Sequence, residues 1–246
     1  MEDNMQPVRL IDLVFPGDTN HHGTLFGGIG LANMDKIAFI AATQHGRVKF
    51  VTASAERIDF RAAANVGEII EFTGQIIRVG KRSLSVEVSM TAEVLLTGEQ
   101  RLCTRGVFNM VAVGVADDYQ LPPLPKTKSA SHSQEVLMVE MVFPNRTSHH
   151  GNLLGGQALA AMTKAAFITA TRQRRQAVVL GSTKDVDFQR QVPSGAIMDL
   201  SSKILEVTER STTVAVTLMA ENLFSGERYI AGAGHFVMVS PRIAKE

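Results

Sequence analysis

The chain reads as an α+β fold built twice, and three observations carry that reading. The segment Phe15-Pro16-Gly17-Asp18-Thr19-Asn20-His21-His22-Gly23-Thr24-Leu25-Phe26-Gly27-Gly28 recurs as Phe143 to Gly156, and the same offset of 128 residues aligns Asp59-Phe60 with Asp187-Phe188, Gly67 with Gly195, and Phe108 with Phe236 without a gap. Each copy contains a single long apolar stretch of helical character, about Gly28 to Gln44 in the first. After it come runs with period-two alternation, such as Leu84, Val86, Val88, Met90, Ala92 and Val94, which mark strands with one buried face. One helix against an antiparallel sheet, repeated, follows.

Each copy is expected to hold a short strand, a loop, the long helix and four strands. In the helix, Ile29, Leu31, Met34, Ile37, Ala38, Phe39, Ile40 and Ala41 cover most of the circumference, so it is wrapped by other structure. β-rich stretches lie near residues 50–60, 68–79 and 102–113, separated by Gly67, Gly80 and Gly98. The second copy repeats the alternation with Val214, Val216, Leu218 and Ala220. Domains are placed at 6–116 and 134–243. The Pro-, Ser- and charge-rich stretch 117–133 between them is read as a linker.

Composition narrows the function. With 246 residues and 45% hydrophobic content, two domains can each bury a core. A net charge of +1 gives no basic stripe for nucleic acid. The single cysteine, Cys103, is compatible with a reducing compartment, and the N-terminus has no signal-peptide pattern, so a cytoplasmic location is expected. No run is apolar enough to span a membrane. His21-His22 and His149-His150 are adjacent pairs that seldom chelate one ion, and no cluster completes four ligands, so neither a metal nor another cofactor is expected.

The copies differ where chemistry would sit: Met34-Asp35 in the first helix corresponds to Met162-Thr163 in the second. Aspartate is a poor mid-helix residue among apolar neighbours, so Asp35 is expected to face a cleft or an interface. Gly27-Gly28 and Gly155-Gly156 open the helices. There they serve as tight turns, as amide donors to a developing oxyanion, or as both.

Asn20-His21-His22-Gly23, the Gly-Gly turn, Met34-Asp35, Ile58-Asp59-Phe60, Val66-Gly67-Glu68 and Val79-Gly80-Lys81-Arg82-Ser83 together resemble the hotdog-fold acyl-CoA thioesterases, closest to the YciA-type and brain-type hydrolases. The resemblance implies a double hotdog, in which a curved antiparallel sheet wraps each long helix and sites form where two units meet. It also implies hydrolysis of fatty acyl-CoA to free acid and CoA, and trimers of the tandem chain forming a pseudo-hexamer. Asp35 would then be general base or nucleophile.

Seven residues at 1.5 Å each put Asp35 about 10 Å down the axis from Gly28, so pairing Asp35 with Gly155-Gly156 of the other half is favoured. That makes one competent site per chain, with Thr163 marking a degenerate one. The family's assisting asparagine matches Asn20, yet the position that would face Asp35 is Ser148, so either Asn152 supplies the amide or Asn20 works with Asp35 in its own half. Arg82-Ser83 and Arg210-Ser211 are either ordinary hairpin residues or binders of CoA phosphates. The Arg172-Gln173-Arg174-Arg175 run reads as a solvated helix end. Two other classes stay open: a non-catalytic acyl-CoA binding protein, and a hotdog hydratase, which a histidine at the Asp35 position would have favoured.

Overall fold

The computed structural model describes residues 7–56, 58–124 and 136–241. They form two compact units. The first contains β1 (Val8–Leu13), α1 (Gly27–Gly46), β2 (Lys49–Ala55), β3 (Asp59–Phe60), β4 (Ile69–Val79), β5 (Ser83–Glu93) and β6 (Gln100–Val113). The second contains β7 (Val136–Met141), α2 (Gly155–Arg174), β8 (Val179–Phe188), β9 (Ile197–Val207), β10 (Ser211–Glu221) and β11 (Arg228–Val239). Of the linker 117–133, residues 125–133 lie outside the described residues, as do 6, 134–135 and 242–243 at the expected domain ends.

All strand pairs are antiparallel, in the order β1-β4-β5-β6-β2 with β3 on β6, and β7-β9-β10-β11-β8. The helix expected at 28–44 extends one residue further back and two further on, and the run 50–60 breaks into β2 and β3. Both helices end on an arginine in the left-handed region, Arg47 (φ 52°) and Arg175 (φ 51°), whose N–H bonds to the carbonyl of Thr43 or Thr171.

Each helix lies on its own sheet. Met34, Ile37, Ala38, Ile40 and Ala41 of α1 are buried with Ile70, Phe72, Val86 and Val88. Ile37 nests on Gly74, where a Cβ would come within 2.5 Å of the isoleucine methyl Cγ2. In the second unit the same positions are Ala165 and Ser202. The smaller helix residue admits a larger strand residue there, and Ser202 shares a buried 2.7 Å hydrogen bond with Thr169. The two cores thus balance volume by opposite choices.

The descending chain after β6 docks on the C-terminal end of α1. Tyr119 donates its hydroxyl proton to the carbonyl of Gly46, the His45 ring meets the carbonyl of Pro122 at 2.9 Å, and Leu121 is buried. At the same end of α2, Arg174 donates instead to the carbonyls of Thr208, Glu209 and Ser211. No described helix is long and apolar enough to cross a membrane.

Candidate active site

Asp35 lies in the middle of α1, half-buried, eight residues beyond Gly27 in an unbroken helix. Its carboxylate Oδ1 accepts a 2.6 Å hydrogen bond from the hydroxyl of Thr52 on β2. Thr52 also approaches the sulfur of Met110 at 3.6 Å, which fixes its side chain from the sheet side. Thr52 went unnoticed in the sequence reading, although the repeat held the signal: its counterpart is Leu180, so the second unit lacks both the acid and its hydroxyl partner.

Asn20 is committed to its own loop. Its side-chain oxygen accepts from the N–H of His22 at 2.9 Å and of Thr24 at 3.4 Å, and its amide donates to the Thr24 hydroxyl at 2.9 Å. Gly23 closes this turn at φ +73°, a backbone region that suits glycine. Within the first unit the structure brings Asn20 to Thr24 and Gly27, not to Asp35. In the second unit the amide and hydroxyl exchange places, Ser148 for Asn20 and Asn152 for Thr24. Asn152 does not turn back to Ser148; its amide donates to the side-chain oxygen of Gln191 at 2.7 Å.

The helix starts expose their first amides. Neither helix has a side-chain N-cap, and the N–H groups of Gly27, Gly28, Gly155 and Gly156 have no intrahelical acceptor. The surroundings differ. A Cβ on Gly28 would lie 2.6 Å from the Phe26 ring, and one on Gly27 would lie 3.6 Å from the Phe60 ring. Nothing approaches within 4 Å of the same points on Gly155 and Gly156. The α2 start is the more open of the two.

A cleft accompanies each start. In the first unit it measures about 360 Å³ and is lined by Asn20, Thr24, Gly27, Phe60, Arg61 and Met90, among others. In the second it measures about 270 Å³ and includes Gly155, Phe188, Arg190, Gln191 and Leu218. The wall after the short strand is held differently in each. Arg101 donates to the carbonyl of Ala63 and pairs with Glu68, which accepts from the N–H of Asn65 at 2.7 Å. Burial alone would push the Glu68 carboxyl up, but Arg101 and Asn65 outweigh it and hold it below the usual range. In the second unit Tyr229 replaces Arg101, and its hydroxyl donates at 2.8 Å to the carbonyl of Gln191, the counterpart of Ala63. Arg190 lies over the Tyr229 ring, 3.8 Å from its centre.

The proposed phosphate binders lie elsewhere in each unit. Arg82 pairs with Asp117 at 3.5 Å, and the Lys81 carbonyl accepts from Leu121 on the segment docked at the end of α1. Ser211 meets Thr208 at 2.7 Å beside Arg174. Both turns therefore sit at the C-terminal end of their helix, about 28 Å from its glycine start at 1.5 Å per residue. The rings of His21 and His22 lie against each other, 3.8 Å between centres and tilted by 44°, as do those of His149 and His150. Among the described residues, no three His, Cys, Asp or Glu side chains gather as metal ligands.

Known proteins match most of the chain. The thioesterase superfamily model matches twice, at residues 22–98 and 150–223. A crystal structure of an acyl-CoA hydrolase from Agrobacterium tumefaciens is 50% identical, covers 96% of this chain and 95% of its own, and superposes with a TM-score of 0.89. The human cytosolic acyl coenzyme A thioester hydrolase is 23% identical over 92% of this chain and 72% of its own length. An uncharacterized acyl-CoA thioester hydrolase of Bacillus subtilis is 32% identical over 56% of this chain and 78% of its own. The chain belongs to the thioesterase superfamily, as two hotdog domains in tandem of the kind found in acyl-CoA thioester hydrolases.

Proposed function

We propose that the protein hydrolyses fatty acyl-CoA to free acid and CoA, with one competent site per chain in which Asp35 is general base or nucleophile. The observation that carries this reading is the joint loss of Asp35 and Thr52 in the second unit, as Thr163 and Leu180. A carboxylate kept only with the hydroxyl that orients it is what a catalytic acid requires, whereas a solvated helix carboxylate requires no partner.

In the reaction, Asp35 takes a proton from water as the water oxygen bonds to the thioester carbon. The carbonyl oxygen gains the electron pair and is met by amide donors. The pair returns as the C–S bond breaks, and the thiolate leaves with the proton that Asp35 received. Direct attack by the Asp35 carboxylate is the second route. It forms a mixed anhydride as the thiolate departs, and water then cleaves the anhydride.

Strands β2 and β8 are sheet edges exposed along most of their length, with Val51, Val179 and Leu180 outward. Open edges of this kind favour pairing with another chain, which supports a homo-oligomer. The cytosolic location in the human relative's name carries over as part of the same reading. The test is free-thiol release from acyl-CoAs of increasing chain length, wild type beside Asp35→Asn. Release that depends on Asp35 supports the reading, and binding without release from any chain length makes the protein a sensor instead.

A further inference from the structure

We infer that the first residues of β11 form a latch on the wall of the second unit's cleft, shut while Asp199 is neutral and loosened when Asp199 carries charge. Every group involved belongs to the second unit, and the latch works whether or not the protein hydrolyses acyl-CoA.

Glu227, Arg228 and Tyr229 leave the strand start in different directions. The Glu227 carboxylate lies 3.8 Å from the Arg190 guanidinium, which covers the Tyr229 ring, and the Tyr229 hydroxyl donates to the carbonyl of Gln191 at 2.8 Å. Ala231 is the extra residue of a bulge opposite Leu218 and Met219, and its carbonyl accepts from the N–H groups of Gln189 at 2.9 Å and Arg190 at 3.3 Å. The cleft wall of Gln189, Arg190 and Gln191 thus hangs on the start of β11. Arg228 reaches the other way, pairing with Asp199 on β9 while its Nε lies 3.7 Å from Glu221 on β10. It is the tie that seats the strand start on the sheet.

That tie joins one cation to two carboxylates. Glu221 is buried, Asp199 is largely buried, and one Asp199 oxygen is enclosed with no hydrogen-bond partner among the described residues. Around Asp199, β10 offers Met219 and Glu221, β11 offers Arg228, and β7 offers Val139, while Glu140 beside it is engaged by Arg146 and Lys164. The next charged residue along β9 is Lys203, about 13 Å away at 3.3 Å per residue. Neutral Asp199 leaves Glu221 and Arg228 balanced, whereas ionised Asp199 puts a second negative charge beside the same guanidinium in the same enclosed space. Burial pushes the Asp199 carboxyl up to about 6; Arg228 opposes the rise and Glu221 adds to it. Charge on Asp199 is carried more readily once the latch opens and water reaches it, so rising pH favours opening. The first unit is tied differently: Glu71 pairs with Arg9 of β1, and Gln100, in the place of Arg228, donates to Glu93 at 3.3 Å.

Hydrogen exchange of the Gln189 and Arg190 amides reads the latch, and the Arg61 and Ala62 amides, bonded to the Cys103 carbonyl in the equivalent places, are the internal control. With Asp199 at about 6 in the shut latch and at the ordinary 3.8 when open, protection at Gln189 and Arg190 is predicted to fall about tenfold from pH 5 to pH 8, after correction for intrinsic exchange. Protection at Arg61 and Ala62 should stay within about twofold. Asp199→Asn should keep at pH 8 the protection seen at pH 5, and Glu221→Gln, which removes the like charge, should shrink the fall. Protection at Gln189 that does not change in the wild type, that falls equally at Arg61, or that falls as much in Asp199→Asn overturns the latch. Thiol release enters none of these readings, so the hydrolase reading stands or falls separately.

Discussion

Replacing Thr52 by valine tests the machinery around Asp35 with little change of shape. Valine fills about the same volume and suits a strand position. The hydroxyl that donates to Asp35 at 2.6 Å is lost, and with it the 3.6 Å approach of the same oxygen to the Met110 sulfur. A hydrogen bond to a charged group contributes about 1.5–3 kcal/mol. Water reaches both partners, so the lower end applies, and about 1.4 kcal/mol corresponds to tenfold in rate. Thiol release at saturating acyl-CoA is therefore predicted to fall about tenfold in kcat with KM within twofold, and Thr52→Ser should recover most of it. Wild-type kcat in Thr52→Val, alongside an inactive Asp35→Asn, would refute the idea that this bond aims the carboxylate.

Two further outcomes follow from buried groups. Burial pushes the Asp199 carboxyl up to about 6; Arg228 pulls it down and Glu221 adds to the rise. An acid raised in the folded state stabilises the fold while protonated, and that stability is lost as pH rises through about 6. From the ordinary 3.8, the full shift amounts to about 3 kcal/mol. The melting temperature of the wild type should therefore gain more on going from pH 8 to pH 5 than that of Asp199→Asn; equal gains would contradict this origin. Cys103, the only cysteine, is fully buried and its thiol is pushed up by that burial. The native protein should react negligibly with a thiol reagent during the assay and release one equivalent on unfolding. Fast reaction of the native protein would show that β6 opens readily.

The repeat made the fold legible, because two aligned copies of the same apolar pattern leave few alternatives for helix and strand placement. The sheet order and the break between β2 and β3 were not readable, since period-two alternation does not say which strands pair. Asp35 stood out because its counterpart is threonine. Thr52 was carried by the same comparison, as Leu180, but a threonine in a strand is an ordinary residue. Only the hydrogen bond to Asp35 gives it meaning. Asn20 shows the converse: its motif pointed to a catalytic amide, and within its own unit that amide is occupied by the turn it organises.

The asymmetry between the units is the centre of the account, and Asp35→Ala beside Thr163→Ala measures it directly. With acyl-CoA as substrate and free-thiol release as readout, Asp35→Ala is predicted to abolish turnover and Thr163→Ala to leave kcat within twofold of wild type. Comparable losses from the two changes would contradict a single competent site per chain.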